Sequence, residues 1–578
     1  MTLRPLIRGI VLGAVAGGAL VPSALLGQGG GTRTQVRCNG QPITEILVRS
    51  QAPTFGGWFA RSPVASRMLD ALHVTTDPQV IEHFLLLKKG EPCNPLRRYE
   101  TERVLRAQPF LADASVTAYP DGSGVRIEVV TVDEPSAVAS LGLVSRSPVL
   151  TKVTLGSANV AGKGVYAVGG WREGYFYRDT YEFDYANHQM FGAPYLYEAS
   201  GERRNLGYAW ETSLSYPFFS DVQKYAWQVA FGSSRDYIPF RYPDRMRSAL
   251  GSSRSFADVG GVVRVGRPGR LGLIGASLSN EMVEADGMAV FVTDTGLRAD
   301  SAPALLNRYP GYRATRLNLL LGFRSAQFMQ VSGFDALTGR QDVRTGLQVS
   351  ATLGAGLPDG APTGERLYAA LDVYAGAGSP RSFAAVQWRA EGRRADSSAY
   401  WDSFLTGGRF AWYLRPHPRH TVLTEVLWGN GWRQRAPFQL SVADRRGGVR
   451  GFEHASVGGG RRLVGRAEER WRIGSFRGTA DAGVAIFTDV GRLWSGDVPL
   501  GTDSPWLSSV GLGLLAAVPP RSQRLWRVDL AFPLQRQYGA RWELRFSNDD
   551  RTRTFWREPN DLRNNRERST PTNVFQWP

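Results

Sequence analysis

The chain has 578 residues, 42% of them hydrophobic and 11% aromatic, with 66 Gly, 33 Pro and a formal net charge of +17. Glycines and aromatics in this number suit short strands joined by turns, which excludes a mainly helical protein, and the length admits more than one domain. The basic charge would suit nucleic acid, but an export signal at the start of the chain turns the expected partner toward anionic lipid headgroups.

That signal is residues 1–27: Arg4 and Arg8, the mostly apolar Gly9–Val21, then the small residues Ser23, Ala24 and Gly27, the layout of a secretory signal peptide. Residues 38–136 read as a compact α+β domain. Ile46 and Val48 alternate in an opening strand, and Ser62-Pro63 caps a helix with Val64, Met68, Ala71 and Leu72 on one face. A second apolar segment, Val80 to Leu87, runs into Gly90. Asn94-Pro95 then opens another helix through Leu96, Tyr99, Val104 and Ala107. The hairpin Ala114–Tyr119, Pro120-Asp121-Gly122, Val125–Val129 closes the domain. Cys38 and Cys93, the only cysteines, both fall here, and an exported pair is expected to be oxidised to a disulfide. Strand, helices and hairpin, with Gly90 to Asn94 leading into the last helix, resemble a polypeptide-transport-associated (POTRA) domain. The resemblance implies a place in the periplasm.

From 138 to 547 the pattern becomes repeated alternation between turn clusters. Trp526, Val528, Leu530 and Phe532 alternate with Arg527 and Asp529, and Trp542, Leu544 and Phe546 with Glu543 and Arg545. Apolar residues facing lipid and polar ones facing a wet lumen define a transmembrane antiparallel β-barrel. About 410 residues at roughly 25 per strand and loop give on the order of sixteen strands. The six His are scattered, His417 and His420 lie in an apparent turn, and no G-x-S-x-G or phosphate loop occurs, so no enzyme activity, metal or cofactor is expected.

The segment Arg446-Gly447-Gly448-Val449-Arg450-Gly451-Phe452 is followed by Gly458-Gly459-Gly460, by Glu468-Glu469, and by Phe487-Thr488-Asp489-Val490-Gly491. In this order the four pieces resemble the barrel signature of the outer-membrane protein assembly factor and bacterial surface antigen family, which includes the two-partner secretion transporters. The resemblance implies that Val449, Arg450, Gly451 and Phe452 form the tip of an extracellular loop folded into the lumen. It further implies that Arg450 contacts acids on the wall, with Gly459, Gly460 and Gly491 in the supporting motifs. A confined arginine needs carboxylates, and Glu469 and Asp489 are the expected partners. The alternation of Ala482–Asp489 sends Asp489 into the lumen, but around Glu469 it leaves Glu468 as the other candidate. Five strands after the loop would make it the link between strands eleven and twelve of sixteen.

In the last strand, read over 539–547, Gly539, Trp542, Leu544 and Phe546 resemble the signal by which barrel proteins are recognised for assembly. Residues 548–578 form a polar tail, a departure from the family, expected to lie in the periplasm outside the barrel. The implied function is an insertase or translocase that helps client polypeptides enter or cross the bacterial outer membrane. Its expected partners are outer-membrane lipid, the clients and accessory proteins, with no nucleic acid, and the strand edge near Val125–Val130 would receive the client by β-augmentation. The alternative is a passive or gated pore with a periplasmic scaffold domain.

Overall fold

The structure is a computed structural model that describes residues 34–53, 74–144, 147–173, 179–241, 248–293, 296–357, 365–395, 400–476, 478–539, 541–549, 552 and 554–568. The expected signal segment and the helix read around Val64–Leu72 lie outside the described residues.

The N-terminal domain contains β1 (Ile43–Gln51), α1 (Pro78–Glu82), α2 (Pro95–Arg106), β2 (Leu111–Asp121) and β3 (Gly124–Asp133). Helix α2 starts at the predicted cap: Asn94 Oδ1 accepts from the backbone N–H of Leu96 (2.9 Å) and Arg97 (3.1 Å), and Pro95 has no N–H to leave unpaired. Ile43, Val80, Ile81, Val104, Leu105, Phe110, Val116 and Ile127 build the core. The disulfide Cys38–Cys93 ties the incoming chain to the start of α2, with the two Cα atoms 5.0 Å apart. The sheet order β1-β3-β2 corrects the expected client-receiving edge. Val125–Val130 lies on the central strand, parallel to β1 on one side and antiparallel to β2 on the other, so its ladder groups are already paired. A strand whose Val125, Ile127 and Val129 are all buried is the one that gains most from two neighbours.

Asp133, at the end of β3, is fully buried and accepts from the Thr76 N–H (2.7 Å) and hydroxyl (2.8 Å). Burial raises its carboxyl to about 6, against the opposing effect of those two hydrogen bonds. A folded-state pKa above the ordinary value means that the folded domain holds this proton more tightly. The contribution to stability is therefore full below the ordinary carboxylate range and is lost as pH rises through about 6, a swing of about 3 kcal/mol at most. Amide exchange in this domain is expected to be slower at pH 5 than at pH 8, once corrected for intrinsic rates. Asp133→Asn should flatten the difference, and an unchanged pH profile in that variant would count against this assignment.

The remaining strands form a closed barrel. Its sheet runs through twenty-two strands, of which Ala289–Thr293 and Gly296–Asp300 make a rim hairpin, because Arg270–Ala285 pairs directly with Tyr312–Ser332. Twenty strands thus complete the wall among the described residues, where the sequence spacing suggested about sixteen. Short strands such as Val165–Arg172, Tyr195–Arg204 and Gly207–Tyr216 need fewer residues each than the spacing assumed. Outward side chains form an exposed apolar belt that includes Val259, Ile274, Leu317, Leu353, Trp412, Ile486, Leu512 and Trp526. Along Leu507–Ala517 the alternation is plain: Leu512 and Leu514 are 58% and 63% exposed, whereas Ser509 and Leu515 are buried.

The N-terminal domain caps one mouth of the barrel. From α2, Arg106 makes a two-pronged contact with Asp342 at 2.9 Å, and Arg103 donates to the Phe219 carbonyl at 2.7 Å. Glu100 accepts from Ser220 (2.9 Å), Arg340 reaches Asp113 (2.6 Å), and Glu134 takes the Ser522 hydroxyl and the Gln523 N–H. These partners lie in or beside the turns 217–224, 333–339 and 518–524, all at the same end of the barrel.

The tail departs from expectation. The described residues 554–568 lie inside the barrel, with Trp556, Leu562 and Glu567 buried against its wall. A charged segment showed no lipid-facing alternation, but a lumen lined with arginines is a polar environment that accepts it.

Candidate functional site

The strands His420–Trp432 and Arg461–Phe476 are paired neighbours, and the chain between them, 433–460, folds back into the lumen. A two-residue ladder, Leu440–Ser441 with Gly458–Gly459, closes its base. Five strands follow the loop, the number read from the segments after it, but fifteen wall strands precede it, so it joins the fifteenth and sixteenth.

Val449 and Phe452 are fully buried in a cluster with Phe438, Leu440, Val464, Leu493 and Leu507. Between them Gly451 adopts φ +94°, a left-handed conformation open to glycine without a side-chain penalty. Its N–H and that of Glu453 both donate to Glu543, at 2.8 and 3.1 Å, which ties the tip to the last strand, Glu543–Asp549. Gly491 is the notch for Val449: a Cβ there would meet Val449 Cγ2 at 2.6 Å and Val464 Cγ2 at 3.0 Å. Gly491→Val should therefore lift Val449 off the wall at a cost of about 1–3 kcal/mol, read as faster proteolysis of 447–460 in the folded protein. Unchanged cleavage would show that the notch does not hold the loop. Gly459 and Gly460 end the loop, where the Gly460 N–H donates to the Trp494 and Ser495 carbonyls at 3.0 and 2.8 Å.

Arg450 is the centre of the lumen network. Its guanidinium grips Asp489 with two bonds, Nε to Oδ2 at 2.8 Å and Nη2 to Oδ1 at 2.6 Å, and its backbone N–H adds a third at 3.1 Å. Nη1 is shared between Glu468 and Asp529, each at 3.2 Å. The guanidinium also stacks over the Phe487 ring, 3.5 Å from its centroid. Arg527 spans both Glu468 oxygens (2.7 and 2.6 Å) and reaches Asp529, and Arg470 contacts Glu468. Arg466 holds the loop carbonyls of Arg446 (2.9 Å) and Gly448 (2.6 Å). Arg450, Arg470 and Arg527 thus balance Glu468, Asp489 and Asp529, and Arg466 stands between Asp489 (4.0 Å) and Glu425 (3.9 Å), so that no buried charge is left uncompensated.

The sequence expectation for Glu469 is corrected here. Arg466 stands opposite Asp489 and Glu468 opposite Phe487 across the ladder, and directly paired residues point to the same face. Arg466, Glu468 and Arg470 therefore share the lumen with Asp489, while Glu469 points outward, 39% exposed, with His420 at 3.5 Å. His417 and His420 meet at ring centroids 5.7 Å apart, and no group of metal-ligating side chains occurs among the described residues. Gly539 is also placed differently. It precedes the last strand, in the loop after Leu525–Pro533, close to the Gly451 carbonyl, while Trp542 and Phe546 face outward.

Sequence reasoning missed Phe487, Asp529, Arg527, Arg470 and Glu543 as site residues. Signals existed for four of them: Phe487 opens the Phe487–Gly491 motif, and Arg527, Asp529 and Glu543 sit on the polar side of strands whose alternate positions are Trp526, Val528, Leu530 and Phe532, and Trp542, Leu544 and Phe546. Alternation gives the face, but not which inward residues from different strands come to one height.

No family model matches the sequence, and no curated protein matches it. Among solved structures the chain is similar to CdiB from Escherichia coli, at 11% identity and TM-score 0.45, over 91% of each chain. It is also similar to BamA from Haemophilus ducreyi lacking POTRA domains 1–3, at 10% identity and TM-score 0.38, over 88% of this chain and 83% of that one. CdiB from Acinetobacter baumannii follows at 10% identity and TM-score 0.35, over 83% and 74%.

Proposed function

We propose that this chain is a bacterial outer-membrane barrel that moves polypeptides into or across that membrane, with the N-terminal domain in the periplasm receiving the client. The observation that carries the reading is the Arg450 lock, in which one guanidinium holds a lumen loop to Asp489, Glu468 and Asp529 at once. A loop fastened by side-chain charge pairs, and not by the wall's own ladder, can change position without opening the barrel, which suits a gate. The apolar belt supports a lipid surround, since soluble proteins rarely expose contiguous apolar area on this scale. Leu544 and Phe546 lie on the outer side of the last strand with Trp542 just before it, and together with Gly539 further ahead they fit an assembly signal. No cofactor or covalent step is part of this reading.

Client capture by β-augmentation is assigned to β1. Among the described residues β1 pairs within its sheet with β3 alone, and beyond Ile43, whose N–H and carbonyl bond Glu91 and Gly90, its outer edge is offered to an extended segment. A photo-crosslinker at Glu45 in living cells should trap unfolded barrel precursors if the protein is an insertase, or one secreted partner if it is a transporter. A passive pore would trap neither and would show large, steady single-channel currents, where a barrel closed by the Arg450 loop shows small, fluctuating ones. That pair of results would overturn the reading.

A further inference from the structure

The tail is held in the lumen by contacts of a built site. Leu562, in the short helix α3 (Asn560–Arg563), is fully buried in a notch between Gly407 and Gly429. These two glycines are paired across the strands Asp402–His417 and His420–Trp432, and a Cβ on either would come within 2.8 or 2.9 Å of Leu562 Cδ1. The wall is therefore shaped to this side chain. Phe555 lies under the Arg409 guanidinium at 4.6 Å, and its carbonyl accepts a bond from the same group.

The acids of the tail meet arginines from distant strands. Glu567 pairs with Arg393 at 2.6 Å and with Arg316 at 3.0 Å, and Asp561 pairs with Arg462. The opposite polarity also occurs, with Arg566 on Glu391 at 3.2 Å. The tail touches the gating loop as well: Asp561 accepts the Ser441 N–H at 3.1 Å, and Asp444 accepts that of Asn560 at 3.2 Å. None of residues 554–568 belongs to a strand of the wall, so their release breaks no ladder bond of the barrel.

We propose that the lumen wall carries a binding site for a short aromatic peptide segment of mixed charge, and that residues 554–568 of this chain fill it in cis as a releasable plug. Only its consequence, closure of a polypeptide route, rests on the translocation reading. The site itself is tested in detergent, where no client is needed, so the two ideas fail separately.

The test uses the full chain, folded and purified, with a protease site inserted between the last strand and Thr554 so that the barrel assembles with its tail in place. After cleavage the fragment should stay with the barrel through gel filtration, and a fluorescein-labelled synthetic peptide of 554–568 should exchange into its place. Leu562→Ala or Glu567→Gln in the peptide should weaken that binding about tenfold or more, the loss expected when one buried contact is removed. In planar bilayers, barrel freed of the fragment should conduct severalfold more than uncut protein, and added peptide should reverse this. Immediate loss of the fragment with no binding of the labelled peptide would overturn the proposal. So would a fragment that never exchanges under native conditions, a barrel that loses its heat-modifiable folded form when the fragment leaves, or unchanged conductance.

Discussion

Arg450→Ala is expected to yield a folded barrel whose 447–460 loop tip is loosened in the lumen. The substitution removes the two-pronged partner of Asp489, a side chain with 0% exposure. The nearest remaining cation, Arg466, is at 4.0 Å. Leaving a confined carboxylate without its partner costs about 3–5 kcal/mol, enough to loosen the loop tip, whose backbone Glu543 and Arg466 still hold. Glu468 and Asp529 keep Arg527, and Glu468 also keeps Arg470, so the damage should centre on Asp489. The wall is secured by continuous ladders, such as the fifteen register pairs between Arg461–Phe476 and Ala480–Trp494, and should survive. Arg450→Lys should recover the charge but not the fork that spans both Asp489 oxygens, and so restore the loop only in part. Asp489→Asn should resemble Arg450→Ala. The double variant should cost less than the sum of the two, since both remove one interaction. Protease access to 447–460, heat-modifiable migration and conductance check these outcomes together. If Arg450→Ala left all three at wild-type values, Arg450 would not be the lock.

The double change Cys38→Ser/Cys93→Ser should unfold the N-terminal domain selectively. The disulfide closes a loop with a sequence separation of 55, and in the chain-entropy model a loop of that size is worth about 4 kcal/mol. The domain is small and its core, among the described residues, draws on two short helices and three strands, so a loss of that order is a large share of its stability. Docking onto the barrel turns through Arg106, Arg103 and Glu134 offsets part of it. Amide exchange should rise across 38–136 while the barrel strands keep their protection. Equal protection in both proteins would mean that docking alone holds the domain.

Much of this was legible from residue order. The Arg450 loop and its Asp489 contact followed from the resemblance of the motif series to a family signature, whereas period-two alternation at Trp526–Phe532 and Trp542–Phe546 pointed to a barrel and the Asn94-Pro95 pair marked the start of α2. The last two are local properties. Side chains alternate along any one strand, and a cap involves residues two or three positions apart, so neither depends on what the rest of the chain does.

The tertiary structure decided the remainder. Glu468 joins Arg450 and Glu469 does not, because the register of Arg461–Phe476 against Ala480–Trp494 puts Glu468 on the inner face with Asp489. Asp529 and Glu543 reach the loop from strands 79 and 92 positions away in sequence. β3 lies at the centre of its sheet and not at an edge, and the tail turns inward to arginines that belong to five different strands. In each case the deciding quantity is which side chains share a height in a closed wall. Barrel closure and strand register set that height, and neither leaves a periodic trace in residue order.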